Sequence, residues 1–560
     1  MYTLGIWDGH DAGVAVLEDD KIVFAINEER LTKRKLEVGY PVNSISFALS
    51  YLHLKPTDFD NVAASTSDSG KTMSRYIPQL AKNYYMFRRR KVDRPRFEDL
   101  RRYSKYATTE GAPNPVSVLL TKQYYRQKLE KAGFKDYKLS IVDHHAAHAA
   151  TAAYPSGLKK QLVVTMDGVG DGLSGTISIF NGKERELLSR IPARDSLGLF
   201  YEQATNLMGM RELEDEGKVM ALSNYATPVP DEKNKLLPFF SVDGMKVISR
   251  YNTIDRYNML KKVMWGTERE EFAYMVQATL EKHLKELVQN SIDETGVKNV
   301  SMAGGVFSNV KANMHVKEMS KSWFVFPHMG DGGLAMGSAM QANYTEKGIA
   351  RYKLEDVYLG PEYSENEIQA ALKKSRLGYE KIEDPSSYAG DLISSDRIGF
   401  WYQGRMEYGP RALGNRSIIT SATNKDARYK LNMCIKNRSW FQPFCPSLLA
   451  EESERFFEDA AQTNRFMTMG YRIRQEYKDI IVAVKNVDDT ARPQMLESEN
   501  PRYRMLIKKV KDNTGLGIIL NTSFNMHGSP LVNTPEEAVQ TYNSAKPDFM
   551  IIGDYLVEKK

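Results

Sequence analysis

The stretch whose reading decides the fold is Thr3-Leu4-Gly5-Ile6-Trp7-Asp8-Gly9-His10-Asp11-Ala12-Gly13-Val14-Ala15-Val16-Leu17. An apolar run breaks at Asp8 to Gly13, a cluster of turn formers, and then resumes. Asp19-Asp20 makes a second turn before Ile22 to Ile26, so the pattern predicts three consecutive strands joined by tight turns. The same design returns at Leu162 to Met166, Asp167-Gly168-Val169-Gly170-Asp171-Gly172 and Thr176 to Phe180. Both loops read Asp-Gly-x-x-x-Gly after an apolar strand. Two such loops, each closing a hairpin, predict a duplicated module.

Working outward, Gly304-Gly305 follows the apolar run Val300 to Ala303 and precedes a helix-like run from Asn309. Paired glycines after a strand let the backbone approach a flat ligand such as adenosine, although one pair alone equally makes a tight turn. Helical patterns fill Glu270 to Ile292. The first domain is expected to close after Ala335-Met336-Gly337-Ser338-Ala339, and Ser364-Glu365-Asn366-Glu367 reads as a helix cap opening a new unit. A boundary near residue 353 leaves two α/β domains, 1–350 and 354–560.

Composition narrows the classes. With 560 residues, 42% apolar and 26% charged, the chain has the make-up of well-cored domains, not of a disordered polymer. No apolar stretch approaches the roughly 18 residues that cross a bilayer. The opening residues Met1 to Asp8 lack a basic n-region, and Cys434 and Cys445 are the only cysteines, which suits a reducing cytoplasm without a disulfide framework. The net charge of +6 is concentrated: between Arg88 and Lys105 nine basic residues stand against three acids. Phe87, Phe97, Tyr103 and Tyr106 interleave with them, as in nucleic-acid binders, but no recognised nucleic-acid motif accompanies the run. The expected reading is a solvated, partly helical surface insertion, with an anionic acceptor as a further option.

Several residues carry candidate chemistry. His144 and His148, at i and i+4 in an Ala-rich helical run, project from one face and can converge on a metal. Asp167 in the second loop and Asp331 in Gly330-Asp331-Gly332-Gly333 complete a mixed nitrogen and oxygen set suited to Fe(II), Mn(II) or Zn(II). Asp143 stands where it would orient a ligand histidine. His10 is either a general base, its tautomer held by Asp8 or Asp11, or a turn histidine bonded to its own loop. Glu28-Glu29-Arg30-Leu31-Thr32 before Lys35 reads as a solvated helix start, and Glu216-Gly217-Lys218 is ambiguous alone. Later, Arg405, Arg411 and Arg416 lie among the glycines and proline of residues 404–417. Lys436, Arg438 and Arg492 follow, and Leu520 to Asn525 adds a small polar cluster at a strand end. Basics set among glycine, proline and small polar residues point to anion binding.

Collinear segments running nearly end to end resemble the O-carbamoyltransferase family of nodulation and antibiotic-tailoring enzymes. They include Asp8 to Ala12, Glu28 to Thr32, His144 to Ala150, Glu216 to Met220, Ala303 to Asn309 and Gly330 to Gly333. The longest is Gly409-Pro410-Arg411-Ala412-Leu413-Gly414-Asn415-Arg416-Ser417, and Asn521-Thr522-Ser523-Phe524-Asn525 closes the series. The resemblance implies an N-terminal actin-like duplicated domain, as in sugar kinases, and a C-terminal YrdC-like α/β domain. It implies that the latter makes carbamoyl adenylate and pyrophosphate from carbamoyl phosphate and ATP with Mg²⁺. By the same resemblance Arg416, Lys436, Arg438, Arg492, Ser523 and Asn525 would hold carbamoyl phosphate, with Arg416 and Ser523 catalytic. Gly9, Asp167, Gly168, Glu216, Lys218, Gly304, Gly305 and Asn309 would face the nucleotide. His144, His148, Asp167 and Asp331 would hold Fe(II) or another divalent transition metal. His10 would deprotonate a small acceptor's hydroxyl, with Lys35 at the transfer site. A tRNA threonylcarbamoyl-type enzyme is the alternative, though nucleic acid and membrane are not expected partners. Oligomeric state, a homodimer included, stays open.

Overall fold

The computed structural model describes residues 1–90, 103, 104, 107, 108 and 110–558. Two compact units divide the chain, one of Met1–Glu28 with Leu36–Leu354 and one of Glu29–Lys35 with Glu355–Lys560.

The first unit contains the predicted duplication. Strands β1 (Tyr2–Trp7), β2 (Gly13–Glu18), β3 (Lys21–Asn27), β4 (Phe59–Ser65) and β5 (Lys138–Val142) form a sheet ordered β3-β2-β1-β4-β5. β1–β2 and β2–β3 pair antiparallel, while β1–β4 and β4–β5 pair parallel. The second sheet uses β6 (Gln161–Gly170), β7 (Leu173–Phe180), β8 (Arg185–Pro192), β11 (Asn299–Ala303) and β12 (Ser322–Val325), ordered β12-β11-β6-β7-β8. Again β6–β7 and β7–β8 pair antiparallel, while β6–β11 and β11–β12 pair parallel. β9 (Phe240–Asp243) and β10 (Lys246–Ser249) form a separate hairpin between them. The two Asp-Gly loops therefore occupy equivalent turns, β1–β2 and β6–β7.

The helices after the two fifth strands are equivalent as well. His144–Ala153 follows β5 and Leu334–Lys347 follows β12. A Cβ on Gly337 would sit 2.2 Å from the Ala147 carbonyl oxygen, and one on Gly5 would sit 1.8 Å from that of Ala335. The two helices and β1 approach to backbone contact, so the alanine and glycine in both helices are a steric requirement.

The second unit is built on an eight-stranded mixed sheet ordered β13-β22-β21-β14-β15-β20-β16-β19. Its strands are β13 (Glu380–Lys381), β14 (Gly399–Tyr402), β15 (Arg416–Ser421), β16 (Cys445–Leu449), β19 (Gln494–Leu496), β20 (Ile518–Ser523), β21 (Phe549–Ile552) and β22 (Tyr555–Glu558). The pair β17 (Tyr471–Arg472) and β18 (Thr490–Ala491) stands apart. Trp401, Tyr503, Ile519 and Phe549 anchor the core under helices Pro385–Ser394 and Pro501–Thr514. Helix Glu365–Ser375 opens on a capping box in which Ser364 and Glu367 satisfy each other's backbone N–H.

The charged run at Glu28 corrects one expectation. Glu28, Glu29 and Arg30 are buried, not solvated. Glu28 caps the N–H groups of Asn43 and Ser44 in the first unit. The short helix Glu29–Thr32 belongs to the second unit, where the Arg30 Nη2 donates to the Gly409 carbonyl at 3.0 Å and Lys33 pairs with Glu537 at 2.5 Å. Of the basic segment, Arg88 and Arg89 are buried, against Tyr84 and Glu214, and are no solvated surface. Lys91, Arg94, Arg96, Arg101, Arg102 and Lys105 lie outside the described residues. Among the described residues, no helix is long and apolar enough to cross a membrane, and Cys434 and Cys445 are unpaired.

Gly337→Ala should cost about 1–3 kcal/mol through overpacking at the helix crossing. Urea unfolding measures this, and an unchanged midpoint would contradict so close an approach.

Candidate active site

In the first unit His144, His148, Asp167 and Asp331 converge, with one ligand atom from each lying within 4.8 Å of the others. Asp167 Oδ2 is 3.3 Å from His144 Nε2 and 3.0 Å from His148 Nε2. Asp331 Oδ1 is 3.7 and 3.6 Å from the same two nitrogens. An ion with bonds near 2.1 Å spaces adjacent ligand atoms by about 3.0–3.4 Å, so the four donors fit one divalent transition metal. Backbone N–H groups of Gly168 and Gly305 donate to Asp167 Oδ1, leaving Oδ2 to face the histidines. Thr66 Oγ1 lies 3.0 Å from His144 Nδ1, so that with an ion on Nε2 the Nδ1–H would donate to Thr66 and hold the ring in place. Asp171, in the second Asp-Gly loop, accepts from the N–H groups of Ser67, Asp68 and His144 and fixes the start of the helix. Asp143, expected to orient a histidine, instead caps that helix by accepting from Ala146 N–H.

The charges explain why these groups need a partner. Burial and the nearby Asp167 carboxylate push Asp331 well above the carboxylate range. Burial works against ionised Asp167 too, but hydrogen bonds from His144 and His148 prevail and hold it well below that range.

His10 stands at the same place, with Nε2 3.5 Å from Asp331 Oδ2. Neither Asp8 nor Asp11 holds it, contrary to expectation. Asp8 takes a two-pronged bond from Arg75 at 2.8 and 3.0 Å and an ion pair from Lys71, while Asp11 lies 3.4 Å from His328. Burial and the Arg88 guanidinium keep His10 well below the ordinary imidazole range, so its ring is neutral.

The expected nucleotide residues divide. Gly9 lies in the first Asp-Gly loop beside His10, its α-hydrogen side closed by the Trp7 ring. Gly304 has φ +109, and a Cβ there would meet the Met166 carbonyl at 2.1 Å, so only glycine fits. Asn309 caps helix Val310–Met319 and exchanges two hydrogen bonds with Gln277, which commits its amide to structure. Lys218 pairs with Asp215. Glu216 accepts from Leu213 N–H, and desolvation with the Glu202 carboxylate pushes its pKa up to about 8.

In the second unit a π-helix, Lys430–Ile435, delivers Lys436, whose Nζ donates to Ser523 and Asn525. Burial, Arg438 and Lys35 depress the Lys436 pKa. Arg492 donates from Nε and Nη2 to Cys445 Sγ at 3.2 and 2.9 Å. Burial lowers Arg438 to about 10, and burial with Arg492 lowers Arg411 to about 9. Among the described residues no carboxylate pairs with Arg411, Lys436, Arg438 or Arg492. Four crowded cations without an acid have the electrostatics that favour an anion. The sequence groups Arg411 with Arg405 and Arg416 as anion binders, while the resemblance names Arg416 alone; its place in Gly-Pro-Arg, two residues past Gly409, is the signal that singles Arg411 out. Arg416 is set differently: fully buried, it stacks 3.7 Å from the Tyr402 ring and spends Nη1 on the Gln403, Gly404 and Asn415 carbonyls. Lys35, which the resemblance placed with His10, is held in this unit by the anchored helix Glu29–Thr32.

The family described as Carbamoyltransferase N-terminus matches residues 3–340, and Carbamoyltransferase C-terminus matches residues 390–559. An uncharacterized protein of Methanocaldococcus jannaschii is 33% identical over 98% of each chain. Nodulation protein NolNO of Sinorhizobium fredii is 30% identical over 98% of this chain and 79% of its own. The 3'-hydroxymethylcephem-O-carbamoyltransferase of Streptomyces clavuligerus is 24% identical over 99% and 98% respectively.

Thr66→Val should weaken divalent-ion binding about tenfold by freeing the His144 ring, as titration calorimetry would read; unchanged affinity would contradict the Thr66 contact. From about pH 5 to about pH 8 folded Glu216 keeps a proton that the unfolded chain has lost, so stability falls as pH rises across that window. The gap in urea midpoint between Glu216→Gln and wild type should widen across it and then level off. A gap independent of pH would oppose this.

Proposed function

The chain belongs to the carbamoyltransferase family, and on that premise we propose that it moves a carbamoyl group from carbamoyl phosphate, through an adenylate, to a hydroxyl of a small acceptor. The observation that carries this is the cluster of Arg411, Lys436, Arg438 and Arg492 beside Ser523 and Asn525, a buried lysine among half-buried arginines with the chemistry of a phosphate site.

In the second unit, read as YrdC-like, these cations bind carbamoyl phosphate and the ATP phosphates with Mg²⁺. For the atoms to balance, water opens the P–O bond to release phosphate. The carbamate oxygen then attacks the α-phosphorus of ATP and expels pyrophosphate. The fixed cations stabilise the charge that gathers on both departing phosphates. Ser523, bonded to Lys436 and Asn525, orients the amide.

The first unit is read as actin-like, a reading supported by its repeated strand order and paired Asp-Gly loops. His144, His148, Asp167 and Asp331 would hold Fe(II) or another divalent metal, which when bound supplies a Lewis acid at the adenylate phosphate. Gly168, Gly304 and Gly305 would bring the protein backbone close to the nucleotide. His10 takes the acceptor's proton, the freed oxygen attacks the carbamoyl carbon, and AMP leaves. The acceptor is taken to be a glycoside or other secondary metabolite, in line with the cephem named by one relative. A cytoplasmic setting suits the two free thiols.

Incubation with ATP and labelled carbamoyl phosphate should yield pyrophosphate and AMP, and ADP in their place would contradict the proposal. His10→Asn should keep pyrophosphate release and lose acceptor labelling by about 10²–10⁴-fold. Equal loss of both half-reactions would remove His10 from the role of base.

A further inference from the structure

The turn at residues 409–416 carries Arg411 into the phosphate site, and buried side chains hold it from behind. Gln494 Nε2 donates to the Leu413 carbonyl at 2.8 Å, Asn521 Nδ2 to that of Ala412 at 3.1 Å, and Trp401 Nε1 to that of Gly414 at 2.8 Å. The turn's N–H groups converge on one atom. Glu407 Oε1 accepts from Leu413, Asn415 and Arg416 at 2.9, 2.8 and 3.0 Å. Glu407 is 2% exposed, and among the described residues its Oε2 has no hydrogen-bond partner.

We propose that Glu407 is a positioning residue of the phosphate site: one buried carboxylate oxygen gathers three N–H groups of the turn and so sets Arg411 beside Arg492. A buried carboxylate survives only where donors replace its lost hydration, and here the turn is that replacement. The turn cannot relax without stranding three buried donors, so Arg411 is fixed before any anion arrives. Gly414 shares the constraint, since a Cβ there would overlap the Tyr503 ring at 2.2 Å and its φ is +104. Glu407 touches no substrate in this account and acts through the turn. The inference rests on reading the Arg411 cluster as an anion site.

Calorimetric binding of inorganic phosphate to the full chain tests it, independently of whether carbamoyl phosphate is the physiological donor. Glu407→Ala should weaken phosphate binding about a hundredfold, as a displaced binding group does. Glu407→Gln, which still presents a carbonyl oxygen to the three N–H groups, should stay within about tenfold of wild type. In an Arg411→Ala background Glu407→Ala should add nothing, because the two act in series. If the alanine variant fails to fold, Glu407→Asp, with its oxygen drawn back by one methylene, supplies the same cycle. Losses that multiply in the double variant, or an Asp variant that binds like wild type, would overturn the proposal. Wild-type protein that bound no phosphate would overturn it and the functional reading together, whereas phosphate binding without pyrophosphate release would count against the functional reading alone.

Discussion

Two carboxylates, Asp167 and Asp331, meet two imidazoles in a buried space, and the architecture of the first unit follows from having to bring them there. Like charges cannot both ionise in such a place without a compensating cation. The fold supplies the four donors from matched positions of its two halves. The helix after β5 gives His144 and His148, and the start of the helix after β12 gives Asp331. The irregular end of β6, where its register with β7 shifts, gives Asp167, while the turn between β1 and β2 gives His10. Duplication thus brings the four candidate ligands and His10 to one place, and small residues at Gly5, Ala147 and Gly337 let the helices come close enough.

The second unit solves the opposite problem. Among the described residues its cluster gathers cations without acids; burial first, and their mutual repulsion second, lower the pKa values of Lys436, Arg438 and Arg411, and a fixed backbone beneath them makes this tolerable. A rigid turn, a π-helix and a strand end each contribute a basic or polar group. Such preorganisation stores electrostatic stress that an arriving phosphate would relieve. Specificity for an anion then comes from geometry fixed in advance, not from charge alone.

Much of this was legible in the sequence. The alternation around Asp8 and Asp167 gave strands and turns of the right order, and the helical i, i+4 spacing brought His144 and His148 together as expected. The Ser364 capping box formed where the pattern put it. What stayed hidden was long-range pairing among polar residues. The sequence suggests Asp8 or Asp11 as a partner for His10, but Arg75 and Lys71, from a helix whose sequence shows no special pattern, claim Asp8, and Asp11 lies against His328. Glu28 to Arg30 read as a solvated run because charge predicts exposure, until Asn43, Ser44 and the Gly409 carbonyl proved to be its partners. Arg411 and Arg416 are near neighbours in one loop, and only the strand register of β15 distinguishes the residue turned onto Tyr402 from the one left facing Arg492.

The quartet in the first unit is the claim on which the catalytic account stands. Crystals grown with Mn²⁺ and measured for anomalous scattering test it most directly. A single strong peak bounded by His144 Nε2, His148 Nε2 and the Asp167 and Asp331 carboxylates is the predicted result. No peak there, or a peak held by other residues, would contradict it.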